Sequence, residues 1–300
     1  MKSGNVTGTA GPALDKVTDE MLRFDRIEHL LAADDLRDKR VVQIGLGSGG
    51  APVNQHLVMN GVRRWMLFDP DRYDEVNLVK HPQLRAELGE LKAANQKKWI
   101  LDRNPDAEVE IIAEDVMRSA EFQRAVKAAD LVLCCTDTPD SRLFVNSVAV
   151  KLRRPCITGS VFRRGFGGEV YSYVPSASGC YDCMLRAASE LGFNMDDAID
   201  LLPIEEKRIY GLNFRDFKAS GLSLDIQAIS IIHARMALDI LLSGTARRFD
   251  AVPANWVIFY NRRVPNVAAS GFLKSMPLKV KPRNDCVCSQ NYGTEKAEAV

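Results

Sequence analysis

Six consecutive residues carry the clearest chemical signal in the chain. Gly45-Leu46-Gly47-Ser48-Gly49-Gly50 closes a short β-branched run at 40–45 that reads as a buried strand, and a helical pattern continues at 51–60. Between a strand and a helix, glycines let the backbone approach a phosphate, and the helix N-terminus offers N–H groups with no intrahelical partner. Asp69 ends the next apolar run, 65–69, nineteen residues beyond Gly50, where a carboxylate accepts hydrogen bonds from ribose hydroxyls. Loop and acid together point to a nucleotide, against the alternative of an ordinary tight turn. No Lys-Ser or Lys-Thr comes after the glycines, which excludes a P-loop. The loop alone would suit an NAD-dependent enzyme equally.

Cysteines give the second signal. Seven in 300 residues are too few and too unevenly distributed for a disulfide scaffold. Four form two close pairs, Cys180/Cys183 and Cys286/Cys288. Each pair can place two thiolates on one tetrahedral zinc. The favoured reading is one structural zinc held by all four thiolates; the one-residue gap of the second pair is tight, which leaves open a three-cysteine site, a lost metal or a set of free thiols. Cys134, Cys135 and Cys156 lie in apolar, strand-like segments, where thiols are usually inert.

These residues need a scaffold, and the hydrophobic periods predict one. Strands are expected at 40–45, 65–69, 109–112, 131–135 and 156–159, alternating with helices at 51–60, 88–101, 119–129 and 140–152. A further helix is expected at 19–33, with Thr18 or Asp19 as its N-cap. Strands alternating with helices imply a parallel sheet covered on both faces by right-handed crossovers. Composition shifts near Arg163: 168–174, 256–260 and 271–280 read as antiparallel strands, 194–220 as polar and charge-rich, and 222–242 as a packed helix. The expected organisation is a flexible N-terminus at 1–17 and a single domain at 18–300, with a nucleotide-binding half at about 36–160 and a C-terminal half at about 161–290.

Bulk properties agree with a globular chain able to bury a core: 46% hydrophobic and 26% charged residues, with 40 Lys and Arg against 39 Asp and Glu. A formal net charge of +1 gives no overall pull toward nucleic acid or anionic lipid. No apolar run approaches the roughly 18 to 20 residues of a spanning helix, and the Gly-, Thr- and Ser-rich start lacks the apolar stretch of a secretory signal. The expected compartment is the cytoplasm.

The residues beyond Asp69 separate the nucleotide readings. Asp69-Pro70-Asp71, Val76-Asn77-Leu78-Val79-Lys80-His81, Gly89-Glu90-Leu91-Lys92-Ala93, Asn104-Pro105, and Cys135-Thr136-Asp137 with Arg142 and Asn146 occur in that order. The series resembles the adenylation domain of the ThiF/MoeB/HesA family, which includes E1-like enzymes that activate ubiquitin-like proteins. Arg23-Phe24-Asp25-Arg26 is similar to the family's Arg-aromatic-x-Arg motif, and Cys180-Tyr181-Asp182-Cys183 to its first zinc pair. The resemblance runs from about residue 21 to 288. It implies a Rossmann-like α/β adenylation domain with a mainly parallel sheet, continued by antiparallel strands and a crossover loop.

The same resemblance implies site roles. Gly45, Gly47, Ser48, Gly50, Asp69 and Asp71 would bind ATP, Lys92 and Lys80 would face its phosphates, and Asp137 would hold Mg2+. Asn77 would contact phosphate or the reacting carboxylate, and Arg26 would reach ATP across a homodimer interface. Three positions depart from the family: Lys80 stands for its usual arginine, His81 for glutamine and Thr138 for asparagine. A lysine keeps the charge without arginine's planar fork. The zinc pair Cys286/Cys288 lacks the family's usual two-residue gap.

Between Cys183 and Cys286 there is no cysteine, so the nucleophile that thioester-forming members carry after the first zinc pair is missing. The expected product is an acyl-adenylate on a small ubiquitin-like or sulfur-carrier protein with a Gly-Gly C-terminus, with sulfur coming from a separate donor or the acyl group passing to an E2-like protein. The segment 184–220 would lie over the substrate tail, with Phe193, Tyr210 and Phe214 as packing residues or contacts. A peptide or a tRNA-base acceptor, or a catalytically silent scaffold, are the alternatives, and nucleic acid is the least expected partner.

Overall fold

Strands and helices alternate as the hydrophobic periods require over most of the chain. The computed structural model describes residues 19–162, 165–192, 221–264 and 267–290. Among them, β1 (Arg40–Ile44), β2 (Arg64–Phe68), β3 (Glu108–Ile112), β4 (Leu131–Cys134), β5 (Cys156–Val161), β6 (Gly167–Tyr173), β7 (Trp256–Tyr260) and β8 (Lys274–Leu278) form one sheet. Their order is β3-β2-β1-β4-β5-β6-β7-β8. The first five run parallel, and β5 to β8 pair antiparallel. The α/β class, the mainly parallel sheet and its antiparallel continuation are therefore as expected.

Both faces of the parallel half are covered, which explains why its strands read as unbroken apolar runs. On one face, Val41, Leu67, Leu131 and Leu133 pack with side chains of α3 (Gly50–Met59), α4 (Lys92–Arg103) and α8 (Ser223–Leu241). On the other, Val42, Ile44, Val132 and Cys134 meet α5 (Phe122–Ala128) and α6 (Pro139–Lys151). An aromatic cluster of Phe162, Phe166, Tyr171, Trp256 and Tyr260, joined by Tyr181 and Met184 of α7 (Tyr181–Glu190), fills the antiparallel half. After β3 the chain crosses back over β1 and β2 to add β4 on the far side of β1. Loops diverge at that switch point, and open α/β sheets bind ligands in the crevice so formed.

Three helices depart from their sequence patterns, and the one expected at 119–129 is confined to Phe122–Ala128. The expected helix at 19–33 is reduced to α1 (Asp19–Phe24), a run of turns, and α2 (Asp34–Arg37). Leu31 instead forms a β-bridge with Arg247, and Arg248 N–H donates to the Leu30 carbonyl at 2.8 Å, so long-range pairing overrides the helical spacing. The expected helix at 88–101 starts at Lys92 because Gly89 has φ +85°, a left-handed conformation outside the helix. Thr18, Arg163 and 193–220, including Phe193, Tyr210 and Phe214, lie outside the described residues.

Candidate active site

The register of three neighbouring strands assembles the loop and its acid. Ile44 of β1 is level with Phe68 of β2 and with Cys134 of β4, so Gly45 emerges between Asp69 and Cys135. Two glycines are obligatory. Gly45 has φ +87° and a Cβ there would stand 2.6 Å from the Cys135 carbonyl oxygen, while a Cβ on Gly50 would stand 2.1 Å from the Gly45 oxygen. The loop is folded so tightly that side chains at those positions would collide with backbone.

The fold leaves the loop's donors available. Gly49 caps α3 without any side-chain hydrogen bond, and among the described residues the N–H groups of Gly47, Ser48, Gly49 and Gly50 have no partner. Four amides at an uncapped helix N-terminus constitute a site for an anion. Leu46 N–H is used differently: it donates to Asp69 Oδ2 at 2.6 Å, and Asp71 N–H donates to Oδ1 at 2.9 Å. These bonds fix the Asp69 carboxylate while leaving further lone pairs to accept hydroxyls. Asp69 is buried, which pushes its pKa up, and the nearby Lys92 ammonium opposes that shift.

Lys92 is the first residue of α4 and only 8% exposed. A cation there opposes the helix dipole, and α4 has no acidic residue in its first turn. Asp71 offsets the charge, with its Oδ2 2.7 Å from Lys92 Nζ and its carbonyl accepting the Lys92 N–H at 2.9 Å. Asp69, Asp71 and Lys92 thus form one charged group beside the loop.

Asp137 projects from the turn between β4 and α6 and is exposed. Its neighbours hold that turn: Thr138 caps α6 by accepting from Ser141 N–H at 3.3 Å, Ser141 Oγ donates to Thr136 Oγ1 at 2.7 Å, and Arg142 Nε donates to the Thr136 carbonyl at 3.0 Å. The threonine at 138 therefore supplies the cap.

The segment bearing Asn77, Lys80 and His81 turns back toward the loop. Asn77 Oδ1 accepts from Asp74 N–H at 3.2 Å, which leaves its amide NH2 as the group it could offer to a ligand. Lys80 N–H and His81 N–H both donate to the Asn77 carbonyl, at 3.0 and 2.8 Å. The His81 ring carbon Cε1 lies 3.7 Å from where a Cβ on Gly47 would stand, so the imidazole sits against the glycine loop. Burial, then the charges of Lys92 and Lys80, lowers its pKa to about 4, keeping it neutral near pH 7. Arg26 is exposed in the turn after α1, and Arg23 donates to Asn104 Oδ1 at 2.8 Å.

All four paired cysteines meet. Their sulfur atoms lie within 4.8 Å of one another, with Cys183–Cys288 at 3.5 Å, Cys180–Cys286 at 3.6 Å and Cys180–Cys183 at 4.0 Å. The cluster could hold one metal ion, and Arg283 N–H also points to Cys183 Sγ at 3.5 Å. Hydrogen bonding from Cys288 holds the Cys180 thiol down, to about 5. Burial raises the three cysteines outside the cluster: Cys134, Cys135 and Cys156 all titrate above their ordinary range.

Residues 19–207 match the ThiF family. The chain belongs to the ThiF family. The sulfur carrier protein ThiS adenylyltransferase of Escherichia coli (strain K12) is 32% identical over 245 residues, covering 81% of this chain and 90% of that protein. The adenylyltransferase and sulfurtransferase UBA4 of Lodderomyces elongisporus is 31% identical over 162 residues, 54% of this chain and 35% of its own length. The ThiF-family chain thus spans about a third of UBA4. Its fold is similar to that of Escherichia coli MccB crystallised with MccA-N7isoASN, with a TM-score of 0.64, 21% identity, and coverage of 85% of this chain and 69% of MccB. Both sequence relatives are adenylyltransferases, the enzyme class that the motif series implies.

Proposed function

We propose that this protein uses ATP and Mg2+ to adenylate the C-terminal carboxylate of a small ubiquitin-like or sulfur-carrier protein ending in Gly-Gly. The observation that carries the reading is the convergence, at the carboxyl ends of β1, β2 and β4, of four loop amides without partners among the described residues with the Asp69, Asp71 and Lys92 group, Asp137 lying in the turn that follows β4. Similarity to the ThiS adenylyltransferase over 90% of its length supports the class of acceptor.

In this reading Asp69 accepts the ribose hydroxyls, and Gly45, Gly47, Ser48 and Gly50 shape the cradle for the phosphates. A carboxylate oxygen of the acceptor attacks the α-phosphorus, the bond from that phosphorus to the β-phosphate oxygen breaks, and pyrophosphate leaves. Two anions must approach each other. Lys92 and Lys80, with Arg26 from a second copy in a homodimer, offset the repulsion, and Asn77 orients the reacting groups. No general base is needed because the attacking carboxylate is already ionised near neutral pH, so catalysis rests on positioning and charge stabilisation. Asp137 is an exposed hard oxygen donor suited to Mg2+, which neutralises phosphate charge when bound.

The cysteine cluster fits structural zinc. A tetrahedron with zinc–sulfur bonds of about 2.3 Å has sulfur–sulfur edges of about 3.8 Å, and the three measured separations bracket that value. The one continuous sheet supports reading 18–300 as a single adenylation domain. The missing crossover cysteine, with Cys134 and Cys156 buried and Cys135 half-buried at the end of the β4 run, favours release of the acyl-adenylate to a separate sulfur donor or E2-like protein in the cytoplasm. The test is exchange of labelled pyrophosphate into ATP. Exchange is expected only when a Gly-Gly-tailed β-grasp protein is present, and uptake of NAD in place of ATP, or exchange indifferent to the partner, would overturn the proposal.

A further inference from the structure

The buried stretch of β1, 41–44, is apolar with one exception. Gln43 is fully buried, and a lone amide in that setting needs a hydrogen-bonding reason to be there. Its Nε2 donates to the Gly50 carbonyl at 2.7 Å and to the Gly45 carbonyl at 3.2 Å. One amide therefore clasps the first and last glycines of the loop. A second tie comes from 181 residues away: Ser230 of α8, 2% exposed, donates its Oγ to the Gly49 carbonyl at 2.7 Å. Beside these, Cys135 Sγ lies 3.8 Å from Gln43 Nε2 and 3.9 Å from Nδ1 of the buried His233, one turn beyond Ser230 on α8. The underside of the glycine loop rests on a buried polar layer drawn from β1, β4 and α8.

The direction of these bonds matters. In a trans peptide the carbonyl and the next N–H point opposite ways, so holding the Gly49 carbonyl inward turns Gly50 N–H outward. Holding the Gly45 carbonyl inward likewise turns Leu46 N–H toward Asp69, where it is found at 2.6 Å. The Gly50 carbonyl is held at the start of α3, while Ala51 N–H closes on the Gly47 carbonyl at 3.0 Å. Gln43 Oε1 has no partner among the described residues. A buried acceptor without a partner costs stability, so Oε1 offsets part of what the two NH2 bonds contribute. The amide is there for what its NH2 group holds.

We propose that Gln43 and Ser230 are positioning residues that lock the glycine-loop carbonyls inward, so that the loop presents its N–H groups to the nucleotide phosphates before ATP arrives. The role rests on the adenylation reading of the site, but the loop's order can be measured without any nucleotide. Gln43→Leu and Ser230→Ala remove the ties, and Ser230→Thr returns a hydroxyl. In each of the first two, amide hydrogen exchange across 44–51 should quicken on the order of tenfold and the KM for ATP rise by a similar factor, with kcat within about twofold, since each bond contributes about one tenfold factor. The midpoint of thermal unfolding should fall by only a few degrees in Gln43→Leu, the size of a lost buried hydrogen bond, and Ser230→Thr should recover the wild-type KM. If either variant is too unstable to study, the other carries the same readouts. Unchanged loop exchange and unchanged KM, or a drop in unfolding midpoint with both unmoved, overturns the proposal. A wild-type chain that shows no partner-dependent pyrophosphate exchange would refute the adenylation reading instead, while hydrogen exchange of the loop would still decide the role of Gln43 and Ser230.

Discussion

Replacing Lys92 by methionine separates chemistry from stability. The side chain is 10% exposed and its ion-pair partner Asp71 is 64% exposed. A pair with one partner so open contributes about 0 to 1 kcal/mol, and removing a cation from the first turn of a helix relieves about 0.3 to 1 kcal/mol. The two effects nearly cancel, and methionine fills the same volume, so the unfolding midpoint of Lys92→Met should stay within about 4 °C of the wild type. Activity should behave differently. The ammonium stands near Asp69, where the proposed reaction would put phosphate charge, and losing one such electrostatic stabiliser costs about 2.7 to 4 kcal/mol, or roughly a hundredfold to a thousandfold in rate. Partner-dependent ATP–pyrophosphate exchange, measured beside thermal unfolding of the same preparation, tests both halves. Exchange retained within about threefold would show that Lys92 does not stabilise the transition state, and a collapse of the fold would show that its pairing with Asp71 is structural.

The same geometry has other consequences. Asp137→Asn should lose exchange by a similar factor of about a hundred to a thousand and need more Mg2+, with unfolding unchanged because Thr136, Thr138 and Ser141 hold its turn; a normal Mg2+ titration would count against the assignment. Metal analysis should find about one zinc per chain, lost together with thermal stability in Cys286→Ser and Cys288→Ser, and a zinc-free, fully stable wild-type protein would contradict the four-thiolate site. His81 titrates at about 4 in the fold against 6.5 for the ordinary group, so the unfolded chain binds more protons between those values. Stability therefore falls as pH drops from 6.5 toward 4; His81→Gln should flatten that limb, and an unaltered slope would refute the assigned environment.

The loop and Asp69 were legible in the sequence because both lie at strand ends, and strand ends are marked by where apolar runs stop. Their meeting needed only parallel pairing of neighbouring strands, which the alternation of strand and helix already implies. Lys92 was different. The pattern started its helix four residues early, and nothing local foretold that Gly89 would break it. The role proposed for it came from the ordered motif series. The spacing of the cysteines favoured one site for all four thiolates, and the four sulfurs do meet, but how a one-residue gap achieves it was not visible. That depends on the chain after β8, where Asn255 holds Val280 through bonds at 2.8 and 2.9 Å and Gly179 N–H donates to the Val280 carbonyl at 3.1 Å. Ser230 was beyond reach because its partner lies 181 residues away. Gln43 did leave a signal, a single amide inside the apolar run Val41-Val42-Gln43-Ile44, and its meaning lay in the carbonyls it holds.

The cysteine cluster and the end of β4, beside the glycine loop, are joined by one helix. α6 begins immediately after Asp137, with Thr138 as its cap, and two turns along it Asn146 Oδ1 accepts the N–H of Tyr181 at 2.9 Å. Tyr181 opens α7 between Cys180 and Cys183, so the cluster fixes the start of α7 and α7 in turn braces α6. A helix of 13 residues spans about 20 Å, long enough to carry that brace from the cysteines to the end of β4. Val145, Val148 and Ala149 pack α6 against the parallel sheet at the same time. Asp137 thus stands at the free tip of a helix clamped along its length by the sheet and at its middle by α7. In that arrangement the four thiols and the turn that bears Asp137 are parts of one brace, and the proposed adenylation gives that brace a use: it holds the direction in which the Asp137 carboxylate projects.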